Sequence, residues 1–195
     1  MTEHCIQKAL YRLLSKRPYN FLNTYFFENE SDFLSFTTGG YLYEYEIKIS
    51  RSDFKADFKK IRFKMLTDCY AGKKLSCIKG HTYDWECRFQ VSKRTGIYDK
   101  REIPGRTDIS FKDNTKNTAN RFYYVVPEGL IKIEECPVFA GLIYVQEGSG
   151  GYNKTIEVKR APLLHKEQHT KINLFNKMYY SYDSMVRQHL FNKKT

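Results

Sequence analysis

The segment Tyr41–Ile49 reads YLYEYEIKI and alternates without interruption. Successive side chains on a β-strand leave opposite faces. Tyr41, Tyr43, Tyr45, Ile47 and Ile49 therefore share one face, and Leu42, Glu44, Glu46 and Lys48 share the other. A helix would scatter these apolar positions around its girth, so the pattern demands a strand. The expectation is an aromatic back packed into a core and a Glu-x-Lys front left exposed.

The flanking sequence places this strand third in a series. Thr2 can cap a helix running to about Lys16, with Ile6, Ala9, Leu10, Leu13 and Leu14 on one stripe and Pro18 ending it. Tyr19–Phe27 is aromatic-rich and reads as a first strand, Asp32–Thr37 as a second, and Thr38-Gly39-Gly40 as the hairpin turn into the third. After it, Ser50 and Asp53 resemble a capping box, and Phe54, Phe58, Ile61 and Met65 keep helical spacing. Thr67–Thr118 is polar and weakly periodic, an expected insertion. Strands resume at Asn120–Val126 and Phe139–Val145, Lys154–Lys159 is a short hairpin partner, and a last helix is expected from about His169 to Phe191. The order is α-β-β-β-α, insertion, β-β, α within a single domain spanning 1–195. The fold class is α/β (α+β), a central mixed sheet flanked by helices.

Charge is distributed unevenly. The chain carries 33 Lys plus Arg against 22 Asp plus Glu, a net +11. Yet no base occurs between Arg17 and Lys48, a window that holds Glu28, Glu30, Asp32, Glu44 and Glu46. The sign then reverses through Lys48, Arg51, Lys55, Lys59, Lys60, Arg62 and Lys64. A basic surplus of this size favours a polyanionic partner. Carboxylates beside it suit a hard divalent cation.

Other classes are disfavoured. Hydrophobic residues make up 41% of the chain, enough for a core and against wholesale disorder. No apolar run approaches the roughly 20 residues needed to span a bilayer, and Met1-Thr2-Glu3-His4 opens no signal peptide. No membrane partner is expected. The cysteines Cys5, Cys69, Cys77, Cys87 and Cys136 are odd in number and widely spaced, which suits a reducing, cytoplasmic setting. Cys69, Cys77, His81 and Cys87 lack the Cys-x-x-Cys spacing of structural zinc. No phosphate-cradling glycine loop, dinucleotide fingerprint or Ser-His-Asp spacing is present.

The chemistry concentrates on the third strand. Glu46 and Lys48 leave the same face, and Asp32 heads the antiparallel neighbour with thirteen residues between it and Glu46. A hairpin of that length can bring Asp32 level with Glu46, giving Asp-x13-Glu-x-Lys. Two carboxylates there can hold Mg²⁺ (or Mn²⁺) against a phosphate, and a lysine beside them can orient the attacking water or offset transition-state charge. Glu-x-Lys alone is also ordinary surface decoration on a strand. The conjunction with an upstream Asp, a base-free window and a following basic helix gives it weight.

These residues resemble the PD-(D/E)XK nuclease superfamily, with its restriction-endonuclease-like core. The stretch YEYEIKISRSDFKADF is more closely similar to MmcB-like DNA-repair proteins, which pair a Glu-x-Lys-x-Ser strand with an Asp-Phe-x-x-Asp helix. NRFYYVVPEGLI, AGLIYV and VKRAPLLH fit the downstream part of that pattern. The resemblance implies that Asp32 and Glu46 are metal ligands, Lys48 the catalytic lysine and Glu3 an additional catalytic carboxylate. For Glu3, complementarity to the helix dipole is an equal reading. Ser50 either contacts phosphate or caps the helix. Lys55, Lys59 and Arg62 are expected to approach the DNA backbone. Two departures stand out: Ser31 precedes Asp32 where the family has proline or alanine, and the insertion interrupts a usually short link.

The resulting expectation is a Mg²⁺-dependent nuclease acting on DNA in repair or recombination, with a homodimer possible. The alternatives are a non-catalytic DNA-binding or scaffold module on the same fold, and an interaction protein whose charge serves an acidic protein surface.

Overall fold

The computed structural model describes residues 1–24, 26–27, 30–73, 75–76, 112–113, 118–149, 152–169 and 175. Helix α1 (Glu3–Leu13) is followed by strands β1 (Tyr19–Thr24), β2 (Ser31–Phe36) and β3 (Leu42–Ile47). Helices α2 (Arg51–Asp57) and α3 (Ile61–Tyr70) come next, then the two-residue strands β4 (Leu75–Ser76) and β5 (Lys112–Asp113), which pair with each other. Strand β6 (Arg121–Pro127), a 3-10 turn (Ile133–Glu135), β7 (Ala140–Gln146) and β8 (Lys154–Lys159) complete the described elements.

Six strands form one mixed sheet in the order β1-β2-β3-β6-β7-β8. The first three make an antiparallel meander, β3, β6 and β7 run parallel, and β8 returns antiparallel. This is the expected α+β class, a mixed sheet with helices on both faces. The parallel strands explain the sequence of β6: between helical layers both faces are covered, so RFYYVVP can be apolar throughout instead of alternating. The meander turns at Gly40, whose φ of 78° is the left-handed backbone that glycine adopts freely.

Each face has its own core. Ile6, Ala9, Leu10 and Leu14 of the first helical segment pack on Phe33, Tyr45, Ile47, Tyr123 and Val125. On the opposite face Phe54 of α2 and Leu66 and Cys69 of α3 meet Phe122, Tyr124, Val126 and Leu142. Thr2 caps α1 as expected, its side chain accepting from the Cys5 N–H. Tyr45 and Tyr123 stack across adjacent strands with ring centroids 5.3 Å apart. That stack leaves no room at position 141, where a Cβ would lie 2.5 Å from the Tyr123 ring and 2.6 Å from the Ala161 nitrogen.

Two expectations are corrected. The single helix expected from Ser50 through Met65 is two helices. At the break, Phe58, Lys59 and Lys60 donate backbone N–H groups to the carbonyls of Lys55, Ala56 and Asp57, and Lys60 turns extended to start α3. Phe58, on the supposed stripe, is exposed. The insertion also begins later than Thr67, because α3 continues to Tyr70. Apart from residues 71–73, β4, β5 and Thr118, the remainder of that segment, including Cys77, His81, Trp85 and Cys87, lies outside the described residues. So does the closing helix, His169 and Phe175 excepted. Cys5 and Cys136 are free thiols. Among the described residues no helix is long and apolar enough to cross a membrane.

Candidate active site

The front of β3 is not exposed. Glu44, Glu46 and Lys48 are all buried, because α2 and α3 fold back over that face. Buried charges persist only when paired and hydrogen-bonded, and here the two helices supply the partners. Arg62, the second residue of α3, bridges both glutamates: Nη1 donates to Glu46 Oε2 at 3.0 Å, and Nη2 pairs with Glu44 Oε1. Ser31 Oγ donates to Glu44 as well. Burial pushes the Glu44 carboxyl up, opposed by Arg62 and Ser31.

Lys48 sits at the centre of three carboxylates. Its Nζ lies 2.9 Å from Glu46 Oε1, 3.4 Å from Asp57 Oδ1 and 3.5 Å from Asp53 Oδ1. Burial alone would lower its pKa, but Glu46, Asp57 and Asp53 outweigh that and hold the ammonium above the usual lysine range. Asp57 is fixed in turn. Tyr124 donates its hydroxyl to Asp57 Oδ2 at 2.8 Å, and Lys60 pairs with Oδ1. These contacts and Lys48 overcome the penalty of burial and keep the Asp57 carboxyl below its ordinary value. The geometry follows from register: Tyr124 is the parallel-strand partner of Glu46, so its side chain leaves the same face.

Asp32 stands beside this network at the end of the meander. The β2–β3 pairing stops at Phe33↔Tyr45, and beyond it Asp32 Oδ2 accepts the backbone N–H of Ile47 at 2.7 Å. The carboxylate thus takes the place of the next ladder acceptor. Burial, then the charge of Glu46, pushes the Asp32 pKa up to about 7; the Ile47 N–H and Lys48 work against them, and Glu3 adds to the rise. Glu3 itself accepts from Gln7 Nε2 at 3.0 Å, while the same Gln7 amide donates to Asn23 Oδ1 at 2.9 Å.

The charges of Glu46, Lys48 and Glu3 therefore all act on Asp32, at the end of the ladder where β2 leaves β3. Among the described residues no three Asp, Glu, His or Cys side chains form a ready-made metal cage. Of the expected DNA contacts, Lys55 and Lys59 are exposed. Arg62 is corrected: it points inward to Glu44 and Glu46, because the break before α3 turns it toward the sheet. Ser50 serves as N-cap, its Oγ accepting the Asp53 N–H at 3.2 Å.

Sequence reasoning missed Glu44, Asp53, Asp57, Lys60 and Tyr124 as members of the network. A signal existed for three of them. Glu44 shares the alternating face with Glu46, and Asp53 and Asp57 are four apart, on one side of a helix.

No family model and no curated protein matches the sequence. Among solved structures the chain is similar to a protein of unknown function from Silicibacter pomeroyi, at 12% identity and a TM-score of 0.51, over 100% of this chain and 95% of that one. At that identity the likeness speaks to the fold alone.

Proposed function

We propose that this protein is a metal-dependent nuclease that hydrolyses phosphodiester bonds in DNA, in repair or recombination, on a restriction-endonuclease-like core. One observation carries the reading. Asp32 and Glu46, from two strands, lie close enough for the charge of Glu46 to help lift the Asp32 carboxyl to about 7, with the Lys48 amine 2.9 Å from Glu46. The meander β1-β2-β3, the helical crossover and the parallel return of β6 beside β3 agree with such a core.

The two carboxylates fit a divalent cation. Like charges forced together in a buried setting resist ionisation, and a cation between them relieves that. Mg²⁺ commonly takes one or two protein carboxylates and completes its shell with water and phosphate oxygens, so a third protein ligand is not required. Asp32 and Glu46 would hold it, with Glu3 as the additional carboxylate. When bound, the ion supplies phosphate polarisation and a more acidic water. Lys48, kept protonated by its three carboxylates, donates hydrogen bonds to the developing negative charge on phosphate and is not suited to accept a proton. Lys55 and Lys59 meet the backbone electrostatically. A cytoplasmic site of action, and a dimer, belong to the same proposal.

A second reading has an observation of its own. Both oxygens of Glu46 already face cations, Lys48 and Lys60 at one and Arg62 at the other. A network neutralised in this way also suits a DNA-binding scaffold that does not cut. Incubation with supercoiled, single-stranded and branched DNA in Mg²⁺ or Mn²⁺ separates the two. The nuclease reading expects cleavage by wild type that Asp32→Ala and Glu46→Ala abolish; wild type no more active than either variant on all three substrates refutes it.

A further inference from the structure

We infer that Asp57, braced by Tyr124, is the positioning residue that sets where the Lys48 ammonium stands, a role that rests on the nuclease reading for its catalytic meaning. Lys48 donates to Glu46 Oε1 at 2.9 Å and to Asp53 Oδ1 at 3.5 Å, and it forms an ion pair with Asp57 Oδ1 at 3.4 Å. The three are not equivalent. Asp53 is half-exposed and occupies the capped first turn of α2, so its hold is screened by water. Glu46 lies two residues before Lys48, which directly follows β3, and moves with it. Asp57 is buried, comes from another element, and is tied by the 2.8 Å Tyr124 hydrogen bond to the sheet strand beside β3.

Asp57 thus fixes a long, flexible side chain from two directions: through α2 and through Tyr124. Lys60 completes the arrangement, pairing with Asp57 and lying 3.7 Å from Glu46 Oε1. Without the Asp57 charge, the Lys48 amine, already 2.9 Å from Glu46 Oε1, has Glu46 as its one buried anion and leans wholly on it. That withdraws the ammonium from phosphate and burdens a carboxylate assigned to the cation. Asp57 therefore shares Lys48 with Glu46 and holds the ammonium between two buried anions.

The test compares wild type with Asp57→Asn, Asp57→Glu and Tyr124→Phe on supercoiled DNA in Mg²⁺. Asp57→Asn is expected to lower kcat roughly 10- to 100-fold with KM for DNA nearly unchanged. Tyr124→Phe should give a smaller loss of the same kind, and Asp57→Glu should recover part of the rate. A companion measurement needs no activity: the ¹H–¹⁵N correlation of the Lys48 ammonium, slowed in exchange by its buried carboxylates. It should be visible in wild type and Asp57→Glu and lost in Asp57→Asn. Equal Lys48 signals in wild type and Asp57→Asn overturn the inference, as does an unchanged kcat. If wild type cuts no DNA while the signal still depends on Asp57, the positioning stands and the nuclease reading falls.

Discussion

Arg62 donates through Nη1 to Oε2 of Glu46 at 3.0 Å while its other terminal nitrogen pairs with Glu44, so a residue of a basic run is the internal counter-ion of the sheet. The role is structural before it is anything else. Removing one partner of a buried pair leaves an uncompensated charge, which commonly costs about 3–5 kcal/mol. Arg62→Ala should lower the unfolding free energy by an amount of that order in a urea titration. An unfolding midpoint equal to wild type, accompanied by weaker DNA binding, would instead return Arg62 to the surface role read from the sequence.

Asp32 gives a pH signature in the absence of divalent ions. Its carboxyl is raised from an ordinary 3.8 to about 7, so the folded state binds that proton more tightly than the unfolded chain does. The stabilisation is complete below the unfolded value and is lost as pH rises through about 7. Thermal unfolding in chelator should show Tm falling across that window, and Asp32→Asn should flatten the fall. Added Mg²⁺ should raise Tm more at pH 8 than at pH 5.5, since cation and proton compete for the same carboxylates. A Mg²⁺ increment independent of pH would count against the two-carboxylate site.

His169 should report acid sensitivity of the opposite sign. Burial, then the neighbouring His165, lowers its pKa from 6.5 to about 4. Its ring packs among Phe26, Phe27 and Phe36. The unfolded chain therefore takes up the proton first, and stability is lost as pH falls from about 6.5 toward 4. The total is on the order of 3 kcal/mol. His169→Phe should remove the pH dependence in that range, read from urea midpoints at pH 7 and pH 4.5. The same slope in the variant would show that other groups control acid unfolding.

Asn120 holds the segment 160–169 to the sheet through one amide. Its Oδ1 accepts the Leu42 N–H at 2.7 Å, and its Nδ2 donates to the carbonyls of His165 at 3.1 Å and Glu167 at 2.7 Å. Asn120→Ala orphans all of these in a buried place and should cost about 3 kcal/mol. Asn120→Asp keeps the acceptor for Leu42 but sets a carboxylate against two carbonyls, so it should be at least as damaging. Amide exchange at Leu42 and Leu164 is the local readout; unaltered protection in Asn120→Ala would contradict the assignment.

Much of the fold was legible because its strands obey simple periodicities. The alternation of Tyr41–Ile49 set the two faces of β3, and Asn120–Val126 was legible as a strand, although its cover on both faces came only with the sheet order. The break between α2 and α3 was hidden. Phe54, Phe58, Ile61 and Met65 preserve helical spacing across it, and nothing local reveals that Lys60 turns extended. Arg62 was misread for the same reason, since its direction depends on that break. The shared face of Glu46 and Lys48 was legible, but their burial was not. Whether a charged strand face meets water or a helical layer depends on distant packing, and Asp57 and Tyr124 reach Lys48 only through that packing.

Gly141 and Tyr123 carry a consequence for how such a chain can diverge. Any side chain at 141 strikes both the phenol ring of Tyr123 and the main chain at Ala161, and that same ring is stacked on Tyr45. A substitution at 141 is thus admissible only alongside a smaller residue at 123 and a retreat of the chain at 161, three steps of which the first alone is harmful. Lineages descending from this sequence should keep the glycine and the tyrosine as a linked pair, exchanged together or not at all.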